Sequence, residues 1–305
     1  MKKISLGQGE MCASAISLGV MRIPELGEKE AEKHIRTAME LGIDFFDNAD
    51  IYGGGKAEEI FSGALGMNDG VRERVLIQSK CGIGKGCYDF SKEHILEAVD
   101  GSLRRLRTEY LDVLLLHRPD ALMEPEEVAQ AFNILQGNGK VRFFGVSNQN
   151  PMQIELLQQS VGQRLMINQL QLSITNTGMI DAGINVNTAF PGSVDHDGGI
   201  LDYCRLKKIT IQPWSPFQYG FFEGVFLGSD KYPELNKAIR ELAKEKGVTD
   251  SAIAVAWLLR HPARMQPIVG TMNTARLAGL CKAADIELTR QEWYKIYLAA
   301  GNKLP

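Results

Sequence analysis

Four side chains of this chain have the types needed to move a proton at an oxygen atom: Asp47, Tyr52, Lys80 and His117. An isolated tyrosine titrates at about 10 and is a sluggish acid at neutral pH. A lysine ammonium beside it favours the phenolate and is expected to lower that value. A carboxylate beside the lysine keeps it charged and oriented. A histidine can hydrogen-bond a carbonyl oxygen and polarise it. Together the set suits delivery of a proton to an oxygen as a hydride reaches the attached carbon. Singly, each residue has a plainer reading: a turn cap, a loop aromatic, a solvated lysine, a histidine satisfied by a strand-end carbonyl. Placement is what gives the set its weight.

The placement is at the ends of short apolar runs. Asp47 follows Ile43–Phe46, Lys80 follows Val75–Ser79, and His117 follows Leu111–Leu116. Ser147 and Asn148 follow Val141–Val146. Gln169 falls at the end of Met166–Leu170, and Trp214 just beyond Ile209–Pro213. With Ile16–Met21 and Gln266–Val269 the runs number eight, each followed by a segment of helical period. Those segments are Lys29–Leu41, Ala57–Leu65, Lys92–Leu106, Pro125–Gly137, Pro151–Gln159, Ile200–Leu206, the pair Pro233–Lys246 and Asp250–Arg260, and Thr274–Ala284. A last helix is expected at Arg290–Ala300, and a hairpin at Ile4–Leu6 and Met11–Ser14. The alternation predicts an α/β fold, a (β/α)8 TIM barrel with an N-terminal β-hairpin and extra helices, as one domain over 1–305. The runs are apolar on both faces, as in a covered parallel sheet. A doubly wound sheet is the rival architecture, but Ser17–Arg22 carries no glycine-rich dinucleotide fingerprint. In a parallel barrel all these strand ends open onto one face, so distant residues converge. Tyr52 is the exception, lying on a loop beyond the second strand. Asn176–Gly199 and Ser215–Tyr232 are expected to be long, structure-poor loops over that face.

The run Gly42–Gly53, with its aspartate and tyrosine five apart, resembles the signature of the aldo-keto reductase family. Ser79-Lys80 is similar to that family's catalytic lysine, Leu111–His117 to its histidine segment, and Gly145–Asn148 to its fifth-strand motif. The resemblance spans Gly19 to about Ala284. It implies an NADP-dependent carbonyl reductase with Asp47, Tyr52, Lys80 and His117 as catalytic residues. It also implies a cofactor site. Ser147, Asn148 and Gln169 would bind the nicotinamide carboxamide, and Trp214 would stack on the ring. Ser215 and Phe217 would begin the pyrophosphate loop. Gly270, Thr271, Asn273 and Arg276 would hold the adenosine 2′-phosphate near a helix N-terminus. Some relatives carry a lysine where Gly270 stands, so NADP preference rests chiefly on Arg276. A cofactor-binding regulatory or scaffold subunit is the alternative function.

Composition narrows the partners. With 34 basic and 37 acidic residues the net charge is −3, which attracts neither nucleic acid nor an anionic membrane. A small-molecule carbonyl substrate is the expected partner, and a monomer is compatible with the sequence. No apolar run approaches the roughly 20 residues of a membrane helix. The five cysteines are scattered, without CxxC spacing, and fit reduced thiols in the cytoplasm. No metal site is expected: His196 with Asp197 is too sparse a ligand set. Gly82–Gly86 lacks the ending of a phosphate-binding loop. Asp44 with Glu58, as a glycosidase-like pair, is disfavoured because Asp44 alternates away from the strand-end face.

Overall fold

Short strands that are apolar on both sides can be buried only between a packed interior and an outer layer of helices. The computed structural model, which describes residues 1–305, shows that arrangement. Strands β1 (Lys3–Leu6) and β2 (Met11–Ser14) pair as an antiparallel hairpin. The following strands are β3 (Ser17–Gly19), β4 (Phe45–Asp47), β5 (Leu76–Cys81), β6 (Leu111–Leu116), β7 (Val141–Ser147), β8 (Leu165–Gln171) and β9 (Thr210–Trp214). Two short strands, β10 (Gln218–Tyr219) and β11 (Gly224–Val225), form a separate ribbon before β12 (Ile268–Val269). The eight-stranded parallel sheet runs β12-β3-β4-β5-β6-β7-β8-β9. The Gln266 amide donates to the Ile211 carbonyl at 3.0 Å, drawing the two sheet edges together into a nearly closed barrel.

Twelve helices surround it: α1 (Glu28–Glu40), α2 (Lys56–Leu65), α3 (Asp69–Arg72), α4 (Lys92–Leu106), α5 (Pro125–Gly137), α6 (Pro151–Ser160), α7 (Gly178–Ile184), α8 (Ile200–Lys207), α9 (Pro233–Lys246), α10 (Asp250–Leu259), α11 (Thr274–Cys281) and α12 (Arg290–Ala299). Their starts follow local chemistry. Ser91 accepts from the His94 amide to cap α4, and Asn150 with Gln153 forms a capping box on α6. No helix is long and apolar enough to cross a membrane.

The barrel interior is divided by polarity. Phe45, Val113, Leu115 and Ile167 form an apolar floor, closed from below by Leu6, Met11 and Ala13 of the hairpin. Gly145 leaves room for that floor: a Cβ there would lie 2.6 Å from the Ile167 carbonyl oxygen and 2.7 Å from a Leu115 methyl. Above the floor, alternation along the same strands brings polar groups inward.

Three expectations need correction. Asn176–Gly199 is not structure-poor, since it contains α7, which buries Ile180. Seven residues with two glycines show too little period to reveal a helix that tertiary packing holds. The loop Ser215–Tyr232 carries the β10–β11 ribbon. Lys80 lies within β5 rather than after it, because pairing of Lys80 with Leu115 and of Cys81 with Leu116 on β6 extends the strand, and Asp47 and Trp214 are likewise the last residues of β4 and β9.

Candidate active site

Asp47 ends β4, Lys80 lies one residue from the end of β5, and His117 directly follows β6. The Lys80 side chain is fully buried, with Nζ 2.8 Å from Asp47 Oδ1 and 2.9 Å from Oδ2. Nζ also donates to the Asn48 carbonyl at 2.7 Å and to Tyr52 Oη at 3.1 Å. Tyr52 arrives from the loop after β4. Beyond it Gly53, Gly54 and Gly55 adopt left-handed backbone (φ 59°, 65° and 93°), which turns the chain sharply into α2. At Gly55 a Cβ would meet the Arg105 side chain at 2.8 Å, and Arg105 is itself fixed by Glu58 at 2.8 Å. The Tyr52 ring meets the His117 ring edge-on, with centroids 5.8 Å apart. All four side chains therefore converge.

Burial sets their protonation. It pushes the Tyr52 phenol above its ordinary value, and Lys80 pulls it back only in part. The expected lowering is thus outweighed by desolvation. Burial also works against the Lys80 ammonium, but Asp47 and then Tyr52 outweigh it, so Lys80 titrates above its ordinary value. His117 is driven well below its ordinary value by burial, then by the charges of Lys80 and Arg118. It is neutral at pH 7, with Nδ1 buried and unpartnered.

A row of glutamines braces Asp47 from inside the barrel. Gln78 and Gln169 donate to Asp47 Oδ1 at 2.6 and 3.0 Å. Both also donate to Gln212, which donates to Gln266, which in turn donates to the Ser14 carbonyl at 2.8 Å. Sequence reasoning singled out only Gln169. The available signal was a glutamine in each of four mainly apolar runs, Val75–Ser79, Met166–Leu170, Ile209–Pro213 and Gln266–Val269.

The other strand-end residues form a second chain. Trp214 Nε1 donates to Asn148 Oδ1 at 3.0 Å, Asn148 Nδ2 to Ser147 Oγ at 2.7 Å, and Ser147 Oγ to the Gln169 carbonyl at 3.1 Å. Asn148 and Ser215 hold left-handed backbone (φ 58° and 51°), Ser215 at some cost. Trp214 is half-buried, stacked near Phe222 and beside the Arg118 guanidinium at 5.5 Å. Phe217 anchors the start of the same loop, its carbonyl accepting from the Phe226 amide at 3.0 Å. Arg118, Asn148, Trp214 and Phe221 line a pocket of about 410 Å³ that also takes in His196 and Asp197.

Gly270 follows β12, and Thr271 is buried. Asn273 caps α11 by accepting from the Arg276 amide at 2.8 Å, while Arg276 is exposed. Arg22, which the sequence reading passed over, donates from Nε to the Gly270 carbonyl at 3.1 Å. Cys81 is an inert thiol, since burial raises it well above its ordinary value.

Residues 15–298 match the model of the Aldo/keto reductase family. The chain is 35% identical, over the full length of both proteins, to the uncharacterized oxidoreductase YcsN of Bacillus subtilis (strain 168). It is 34% identical to a 6-dehydroglucose reductase of Agrobacterium fabrum, covering 99% of each. Its fold is similar to that of a thermostable aldo-keto reductase, Tm1743, solved with the inhibitor epalrestat. That likeness has a TM-score of 0.79 at 24% identity and covers 98% of this chain and all of the other. The chain belongs to the aldo/keto reductase family.

Proposed function

We propose that this oxidoreductase reduces an aldehyde or ketone to the alcohol with NADPH, and that Tyr52 gives the proton. The observation carrying this reading is the buried Lys80 ammonium held between Asp47 at 2.8 Å and Tyr52 Oη at 3.1 Å. A phenol held above its ordinary value keeps its proton at neutral pH and so has it to give. The adjacent ammonium stabilises the phenolate as the proton leaves. Asp47, braced by Gln78 and Gln169, keeps that ammonium charged and in place. Neutral His117 has Nε2 left for a substrate carbonyl oxygen, which it orients towards Tyr52.

The surrounding residues fit a dinucleotide. Bound NADPH supplies the hydride for the carbonyl carbon. Trp214 offers an aromatic platform, and the bond that fixes its indole also fixes the Asn148 amide for a carboxamide, alongside Ser147 and Gln169. Ser215 and Phe217 lie where the pyrophosphate loop begins. Gly270, Thr271, Asn273 and exposed Arg276 are the donors and loop for an adenosine 2′-phosphate.

The Tyr52→Phe variant should retain NADPH binding while single-turnover hydride transfer falls by about 10²–10⁴-fold. An unchanged rate would remove Tyr52 from the role of acid. The substrate panel should include hydroxylated aldehydes as well as simple aldehydes and ketones, because the Agrobacterium relative is named for 6-dehydroglucose. Tight NADPH binding with no turnover across that panel would favour a regulatory subunit instead.

A further inference from the structure

His34 lies on α1, outside the site described above, and is fully buried. A histidine with no exposed surface ordinarily has both ring nitrogens paired. Here Nε2 has no partner at all. The other nitrogen, Nδ1, lies 3.3 Å from Thr274 Oγ1, the first residue of α11. The His34 ring also faces the Thr271 backbone. Burial lowers its pKa, against an opposing pull from Thr271, so the ring is neutral at pH 7.

Thr271 and Thr274 bracket the turn that opens α11. In that first turn the Arg276 amide is bonded to Asn273 Oδ1 and the Leu277 amide to the Asn273 carbonyl. The Thr274 and Ala275 amides are the ones a helix start leaves without a partner in the helix. An anion placed there would receive two N–H groups and the Arg276 side chain. The direction of those amides depends on how Thr274 is held. Thr274 is itself only half-buried, and its one side-chain hydrogen bond is with His34.

We propose that His34 is a positioning residue for the adenosine 2′-phosphate, and that this chain distinguishes NADP from NAD partly through it. His34 fixes Thr274, and with it the amides that meet the phosphate. This rests on the cofactor reading above. It adds a determinant on the first helix of the barrel, outside the phosphate-binding segment itself.

The test measures NADP⁺ and NAD⁺ dissociation constants by calorimetry on the full-length protein. His34→Leu should weaken NADP⁺ about tenfold and leave NAD⁺ within twofold. His34→Gln, which keeps a polar atom near Thr274, should recover most of the loss. Thr274→Val removes the partner at a half-buried position, with nearly the same side-chain volume. It should reproduce the His34→Leu effect, and the double variant should be no worse than either single one. Equal loss of both cofactors, or full additivity in the double variant, would overturn the proposal and leave His34 as packing alone. Unchanged NADP⁺ affinity in both single variants would overturn it too, with the cofactor reading intact. A wild-type protein that binds neither nucleotide would overturn both.

Discussion

The two ends of the barrel's open face are built on different plans. Around Lys80 the polar groups are buried and multiply bonded: Nζ has Asp47, Asn48 and Tyr52 as partners, and Asp47 has Gln78 and Gln169 besides. Around Gly270–Arg276 the groups are held singly, by Asn273 within the turn and by Arg22 and His34 from the first βα unit. Proton transfer depends on a definite pKa and on positions held to fractions of an ångström. A phosphate needs only nearby donors and charge, which a long exposed arginine can supply. On the proposed reading, the difference teaches that this fold spends its interior on the reacting atoms and leaves the recognising end to loops.

Lys80→Met should break the first plan most severely. It leaves the Asp47 carboxylate buried beside donors but without its cation, at a cost of about 3–5 kcal/mol. Urea unfolding checks this, and a loss below about 1 kcal/mol would show that the carboxyl simply takes up a proton. Arg276→Ala should affect the second plan without touching stability. NADPH affinity should fall by about 10–100-fold, the worth of a charge-assisted hydrogen bond, while NADH is spared. Equal losses for both nucleotides would place Arg276 on a shared part of the cofactor.

Asp50 gives the smallest effect and sharpens the contrast, because here a partly buried carboxyl beside Lys80 lacks a cation to pair with. Its carboxyl is raised to about 6, first by burial and then by Glu58, and Oδ1 has no partner. The unfolded chain titrates near about 3.9. The folded state therefore binds the proton more tightly, and stability falls as pH rises from about 4 through 6. Asp50→Asn should be more stable than wild type at pH 8 by up to about 2 kcal/mol, allowing for its partial exposure. The gain should vanish near pH 4. A gain of equal size at both pH values would exclude titration as its source.

Much of this was legible along the chain. Eight apolar runs with intervening helical periods specify the barrel, because each strand must be covered on both faces. Asp47, Lys80 and His117 at the ends of such runs had to share a face. The helix at Gly178–Ile184 was not legible, since it is held by tertiary contacts: Ile180 is buried, and Tyr297 on α12 donates to Asp181 at 2.6 Å. Nor was the direction of the Tyr52 pKa shift. Charge neighbours are visible in a motif, but the burial that outweighs them is not.

What the sequence by itself determined is periodic: strand, helix, inward phase, outward phase. It placed Gln78, Gln169, Gln212 and Gln266 at strand positions without showing that they touch. Their contact depends on the stagger between neighbouring strands, a property of the closed barrel and not of any one segment. The same holds for His34 and Thr274, which are 240 positions apart and meet only because barrel closure brings the first helix against α11. Local periods are written in neighbouring residues; coincidence across the barrel is decided by how the whole sheet closes.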